Sequence, residues 1–577
     1  MRILPGHLIL FLPFLLLSQN NTTLNLLFEK AKEVDTKFDI ANPIYEGKHP
    51  LRFPYQTKEQ LIEKAEALTP ILVALEAINT DLSEQDEINR QIRILQIKDE
   101  ITTATYQTYL LPMNAEGGFY NAPAFFLSRL PFRRLEDYES YLRWLPSFAH
   151  YLTYNRQLLK DGVQRNIQLP KVLVHNTLSL LEKWTADDPM THPFYDPIVK
   201  MPASFPPSRK QEIETKAKQV LRDDIIPAYQ TLERFLKNDY LHAAPNEVGV
   251  RELPNGKAYY ENRIRHYTTL DISPDSVFNT GLSEVKRIKG LMEGIIADLS
   301  FEGDFNEFLT FLRTDPQFYP SSPRELLSRA AWISKKAEGK LPRLFSNLYT
   351  LPFTVDPVPE EIAPNYTTGR YLQGNRKQNR PGTYWVNTYN LNSRTLYTLP
   401  ALTLHEAVPG HHLQITLASE IQNLPEFRSN YYISAYGEGW GLYAEYLGEE
   451  MGMYTTPYEL FGRYTYEMWR ACRLVVDVGI HYKSWSREQA VQFMASNTAL
   501  SIHEVNTEID RYIGWPGQAV SYKIGELVIK SLRKEAEEAL GEAFDIQVFH
   551  HEVLKDGAVP LSIVKRNIRH YIKSIAK

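Results

Sequence analysis

The chain has 577 residues, 43% of them hydrophobic and 23% charged, the balance of a soluble globular protein. Lys and Arg number 64 against 69 Asp and Glu, a net charge of −5, so no basic excess exists to hold a phosphate backbone and nucleic acid is not an expected partner. Single cores rarely grow past about 300 residues, so two lobes, at about 21–240 and 241–577, or one large helical domain with sub-lobes, are expected.

Arg2 precedes an apolar run from Leu8 to Leu17. At ten residues it is shorter than the ~20 that a spanning helix needs, and it suits a signal peptide over residues 1–20. This predicts export to the periplasm or beyond the cell, with no membrane partner other than the export signal. No cysteine stands nearby to carry a lipid anchor. The one cysteine, Cys472, lies in the helical pattern Met468–Leu474 and reads as a packing residue, so no internal disulfide can form.

Apolar residues at three- and four-residue spacing predict helices around Leu61–Leu68 and Ile88–Leu95. A turn-rich loop follows at Leu111–Gly118, and helical patterns resume from Leu135 to Lys183. Ser208-Arg209-Lys210-Gln211 offers a capping box for a helix running toward Phe235. Asn255-Gly256 signals a turn, and Ser273 opens a helix through Leu299. Residues 350–395 are strand-like, most clearly the β-branched and aromatic Thr383–Tyr389. From Thr398 onward the pattern is helical, with breaks near Asn423, Thr455, Ser486 and Trp515-Pro516-Gly517. The fold class is therefore mainly α, with a small β element just before the candidate site.

That site is His405-Glu406-Ala407-Val408-Pro409-Gly410-His411-His412. In His-Glu-x-x-His zinc peptidases two histidines on adjacent helical turns bind the metal and the glutamate activates its water. Here Pro409 occupies the fifth position and cannot ligate. At ~100° per residue His412 would face with His405. A bulge at Pro409-Gly410 would instead bring His411 round. Either imidazole could serve. A third ligand is expected on a following helix, where Glu438 and Glu445 are spaced to share one face amid Trp440, Leu442 and Tyr443.

His405-Glu406-Ala407-Val408-Pro409-Gly410-His411-His412-Leu413-Gln414, followed by Glu438-Gly439-Trp440-Gly441-Leu442-Tyr443-Ala444-Glu445, resembles the bacterial DUF885 family, placed with the gluzincin metallopeptidases of the MA clan. Leu253–Tyr260, His266–Thr269, Gly281–Ile288, Val475–His481 and Pro516–Gly525 are also similar to segments of that family, with a departure at Phe278, where a histidine is expected. The resemblance implies a neurolysin-like helical fold with a deep cleft and a small sheet beside the metal helix. It favours His411 over His412, Glu438 as the third zinc ligand, and Glu445 as a residue that orients a ligand histidine. It also implies that Thr383–Tyr389 is an edge strand able to pair with a peptide.

The expected chemistry is hydrolysis of small peptides by a zinc-activated water, with Glu406 as general base. Tyr522 and His481 are candidate donors to the oxyanion. Arg511, Tyr512 and Lys523 are candidate holders of a substrate carboxylate. The competing readings are a zinc hydrolase of another amide or ester, and a helical binding protein without catalysis. No Gly-x-Ser-x-Gly or phosphate loop is present to support a serine hydrolase or a nucleotide enzyme.

Overall fold

The computed structural model describes residues 11–40, 48–79, 81–122, 127, 130–360, 362–429 and 431–576. The first ten residues of the expected signal peptide lie outside these; from Phe11 the chain is helical to Phe38 (α1). Among the described residues no helix is long and apolar enough to cross a membrane. The chain divides after Gly256 into two units, each with its own core.

The first unit is helical. Helices α2 (Lys58–Glu76) and α3 (Glu84–Thr105) are the two that the apolar spacing predicts. Thr57 and Gln60 form a capping box at the start of α2, and Ser83 caps α3. Leu68, Ile71 and Leu75 of α2 meet Leu24 and Ala31 of α1 and Ile97 of α3 in one apolar cluster. The long helix expected near Ser208 begins instead at Pro207, without a side-chain cap. It also runs beyond Phe235 to Ala243, with wide turns at Leu221–Ile225 and Leu236–Tyr240. Proline at the first helical position needs no donor satisfied, so the box is dispensable.

The second unit, Lys257–Lys577, carries the candidate site. The Asn-Gly pair is not a hairpin turn: Asn255 takes φ +57° and the helix Gly256–Thr268 starts directly after it. The expected helix start at Ser273 is present, with its hydroxyl accepting from the Ser276 N–H at 3.2 Å ahead of α4 (Pro274–Asp298). Then come α5 (Pro323–Glu338), a three-stranded sheet, α6 (Leu399–Glu406), α7 (His411–Glu420), α8 (Ser434–Glu450), α9 (Pro457–Lys483), α10 (Ile502–Gly514), α11 (Ser521–Leu540) and α12 (Ile546–Leu554). Helix α9 is buried along most of its length, and it buries Arg463, Glu467, Arg470, Arg473, Asp477 and His481 together with its apolar residues. Cys472 is buried within it, and burial raises its thiol pKa far above the reactive range.

The sheet corrects one expectation. Its strands are β1 (Phe353–Pro357), β2 (Gly369–Leu372) and β3 (Gly382–Val386), in the order β1-β3-β2. The strand within Thr383–Tyr389 is therefore central, parallel to β1 with Phe353 opposite Gly382, and antiparallel to β2 with Tyr384 opposite Tyr371. Both its backbone edges are taken, so it cannot add a peptide. Its alternate residues Tyr384 and Val386 pack on Leu399, Leu402 and Ala407, which fixes the sheet against α6 and the residue after it.

Helices α8 and α11 approach through glycine. A Cβ on Gly525 would lie 1.9 Å from the Ala435 carbonyl, and one on Gly439 would lie 2.6 Å from the Gly525 Cα. Gly525→Ala should therefore force the helices apart and cost about 3 kcal/mol or more of stability, read from urea denaturation; an unchanged midpoint would show that the helices do not pack this closely.

Candidate metal centre

Helix α6 ends at Glu406, and the chain crosses Ala407–Gly410 before α7 restarts at His411. This is a break, not the bulge that the spacing suggests. Pro409 cannot donate a helical hydrogen bond. Gly410 lies against the preceding turn, so that a Cβ there would sit 1.9 Å from the His405 carbonyl. The His412 N–H reaches back to the Ala407 carbonyl at 3.0 Å, which sets the phase of α7.

That phase separates the two candidate histidines. His411 turns toward His405, with ring centroids 4.7 Å apart and planes at 86°. His412 turns away toward the sheet. Its Nδ1 is 2.9 Å from the Tyr371 hydroxyl, and the rings of Tyr349 and Phe353 pack on it at 4.3 and 4.5 Å. Burial lowers its pKa to about 4, so it is a neutral core residue.

Helix α8 supplies the acidic side chains. Glu438 Oε2 is 3.4 Å from His405 Nε2 and 3.5 Å from His411 Nε2. One donor atom from each of the three residues lies within 4.8 Å of the others. Donors bound tetrahedrally at ~2.1 Å from one metal sit roughly 3.4 Å apart. The two Glu438 separations match that spacing and exceed ordinary hydrogen-bond lengths. The donor chemistry, two imidazoles and a carboxylate, also fits a divalent metal such as zinc.

The surroundings fix the donors. Glu445, one face-repeat along α8, accepts from His405 Nδ1 at 2.8 Å, which leaves Nε2 as the outward nitrogen. A Cβ on Gly441 would lie 2.6 Å from His405 Nε2, so the glycine leaves room for the ring. Burial alone would lower the His405 pKa, but Glu438 and Glu445 outweigh it and raise it to about 9. Burial would raise the Glu438 carboxyl, but His405 and His411 outweigh that and hold it well below the usual range. A metal must displace the histidine proton, so binding is expected to weaken as pH falls.

Glu406 lies beside this cluster without joining it. Its Oε2 accepts the Tyr371 N–H of β2 at 2.7 Å, and its charge contributes to raising His405. Sequence reasoning missed two residues here. Tyr371 anchors Glu406 by its backbone and His412 by its hydroxyl. Tyr432 donates its hydroxyl to Glu438 Oε1 at 2.8 Å. Burial of that hydroxyl and the Glu438 charge raise its pKa well above normal, so it stays protonated. Tyr432 lies in a loop and Tyr371 on a four-residue strand, both too short of pattern for periodicity to mark them.

The family model for bacterial proteins of unknown function, DUF885, matches residues 46–568. The chain belongs to the DUF885 family. A candidate lipoprotein from Colwellia psychrerythraea has a similar crystal structure: TM-score 0.86, 28% identity, covering 96% of this chain and 99% of that one. A candidate lipoprotein of unknown function from Shewanella oneidensis aligns at TM-score 0.71 and 16% identity, over 95% and 99% of the two chains, and shares the fold. No curated protein matches the chain.

In this DUF885 chain the two oxyanion candidates part company. Tyr522, at the start of α11, is close enough to raise the Tyr432 pKa, and its ring lies 4.3 Å from the Arg473 guanidinium carbon. His481 does not reach the cluster. Its Nε2 is 2.9 Å from the Tyr512 carbonyl, its ring packs on Tyr260 at 5.3 Å, and burial lowers its pKa to about 4. It is a core residue bound to backbone. Lys523 is likewise no carboxylate receptor: it is fully buried among Glu467, Glu526 and Glu284 at 2.6, 2.6 and 3.0 Å. Arg511 is engaged by Gln518 at 2.7 Å, and Tyr512 donates to Glu508 at 2.6 Å.

His411→Ala should abolish metal uptake, whereas His412→Ala should keep it and cost about 2 kcal/mol from the lost core side chain; elemental analysis and denaturation distinguish them, and the reverse pattern would exchange their roles. His412 and His481 also predict acid sensitivity. Their folded pKa values, about 4, lie below the unfolded 6.5. The unfolded chain therefore binds more protons between those values, and stability should fall as pH drops from 6.5 toward 4. Each contributes a slope approaching ~1.4 kcal/mol per pH unit, measurable in denaturation curves at fixed ionic strength.

Proposed function

We propose that this DUF885 chain is an exported zinc-dependent peptidase of the gluzincin type. The observation that carries the reading is the pair of separations from Glu438 to His405 and His411, 3.4 and 3.5 Å, with Glu406 held beside them. His405, His411 and Glu438 would hold the zinc, which when bound would lower the pKa of a water and polarise a substrate carbonyl.

Glu406 keeps one oxygen on the Tyr371 N–H, so its other oxygen takes the proton from the attacking water. The same carboxyl then passes that proton to the leaving amine. Tyr522 and Tyr432 would supply the hydroxyls that steady the oxyanion, because His481 is bound to a backbone carbonyl in the core. Glu445 keeps His405 in the tautomer with Nε2 free for the metal. Backbone pairing with a peptide would fall to β2, the outer strand beside Glu406, through backbone groups other than the Tyr371 N–H that Glu406 holds. Export is supported by the apolar run after Arg2 and by the description of the Colwellia relative as a candidate lipoprotein.

The test combines elemental analysis with a peptide panel. The purified chain should carry about one zinc, lose it to chelator with its activity, and regain both. Glu406→Gln should keep zinc and lose at least about 10²-fold in kcat; Glu438→Ala should lose the metal. Full activity of Glu406→Gln would overturn the mechanism, and a chain that takes up no zinc would overturn the reading.

A further inference from the structure

Two guanidinium groups that this chemistry does not use stand one turn apart on α9. Arg470 and Arg473 are 5% and 3% exposed, and their guanidinium carbons lie 4.4 and 4.5 Å from the centroid of the same Trp469 ring. Residues three apart on a helix share a face.

Each arginine borders the metal centre from a different side. Arg470 Nη2 is 3.8 Å from Glu445 Oε1, the oxygen that holds His405. Arg473 packs its guanidinium on the Tyr522 ring at 4.3 Å; Tyr522 in turn acts on Tyr432, which holds Glu438. His405, Glu445, Arg470, Trp469, Arg473, Tyr522, Tyr432 and Glu438 thus form a closed circuit of neighbours. Trp469, Tyr522 and Glu508 are partly exposed, so solvent reaches its edge.

The arginines are incompletely answered. Arg473 Nε donates to the Tyr512 hydroxyl at 2.8 Å and Nη2 to Glu508 at 3.1 Å, while Nη1 has no hydrogen-bond partner. Arg470 Nη1 has a long bond to the Tyr466 carbonyl at 3.4 Å, while Nε has none. Glu508 is shared with Arg511 at 3.7 Å. Arg470 and Arg473 thus face one carboxylate each, Glu445 and Glu508. Asp477, the other carboxyl acting on this group, is raised to about 7 by burial and is only partly charged at neutral pH. Buried arginine is rare unless paired, and its planar fork matches a carboxylate.

We propose that the free N–H groups of Arg470 and Arg473 receive a substrate carboxylate beside the metal centre. This rests on the peptidase reading for its consequence, which is a preference for peptides that present a carboxylate next to the bond to be cut. A C-terminal α-carboxylate and an acidic side chain share the chemistry, and the test separates them.

Calorimetric titration of the purified full-length chain with N-acetyl-phenylalanine, N-acetyl-glutamic acid amide and N-acetyl-phenylalanine amide needs no turnover. One of the two acids should bind at least tenfold tighter than the neutral amide, and which acid does so names the source. That preference should fall below threefold in Arg473→Gln and in Arg470→Gln, and Arg473→Lys should be intermediate, since it keeps the charge and loses the fork. Equal or absent binding of the acids to the unmodified chain overturns the proposal even if a variant fails to fold. A preference that survives in folded Arg473→Gln also overturns it, by assigning the carboxylate to the metal. An acid preference in a chain that cleaves no peptide would uphold this receptor and reject the peptidase reading.

Discussion

The centre of the molecule depends on how closely other groups can approach helix α8. Four of its glycines face four different neighbours. At Gly437 the Tyr432 ring lies where a Cβ would be, at Gly439 the backbone of α11, at Gly441 the His405 ring, and at Gly448 the Leu404 side chain. The same helix carries Glu438 and Glu445 on the side that meets His405. Glycine costs a helix about 1 kcal/mol per residue in propensity. Here the loss is offset by burial of Tyr436, Trp440, Leu442, Tyr443 and Leu447 on the same helix. Glu438 and Glu445 are therefore presented from a closely packed element.

Around that element the protein holds an unusual density of buried charge. Glu467 alone accepts Lys523, Arg463 and Arg287, and Lys523 also meets Glu526 and Glu284. Lys523 and Glu467 hold their charged forms despite burial, because each faces several opposite charges. Removing one member of such a network costs roughly 3–5 kcal/mol, because its partner is left buried and unpaired. The network tethers α4, α9 and α11 to one another. It explains why Lys523 serves the frame.

The architecture was legible where periodicity is strong. The helices around Leu61–Leu68 and Ile88–Leu95, the start at Ser273 and the small sheet before the site follow from spacing and propensity. Strand order did not follow, because a strand's sequence records which face is buried and not which neighbours pair with it. Thr383 and Trp385 read the same whether their strand is central or at an edge. The start at Pro207 and the helix after Asn255 were hidden by short motifs whose meaning depends on what packs nearby.

For the site, the sequence by itself determined the chemical inventory: His405, Glu406, His411 or His412, Glu438 and Glu445, all close in two short segments. Those residue types at those spacings point to metal binding beside a carboxylate base. Only the tertiary structure decided between the two histidines, because the break at Pro409-Gly410 sets the phase of α7 through a backbone bond and not through side-chain pattern. It likewise sent His481 to a carbonyl in the core and brought Tyr371 and Tyr432 to the centre from loops and strand. Side-chain identity travels along the chain, but direction is fixed by packing between segments far apart in sequence, and function at a metal centre depends on direction.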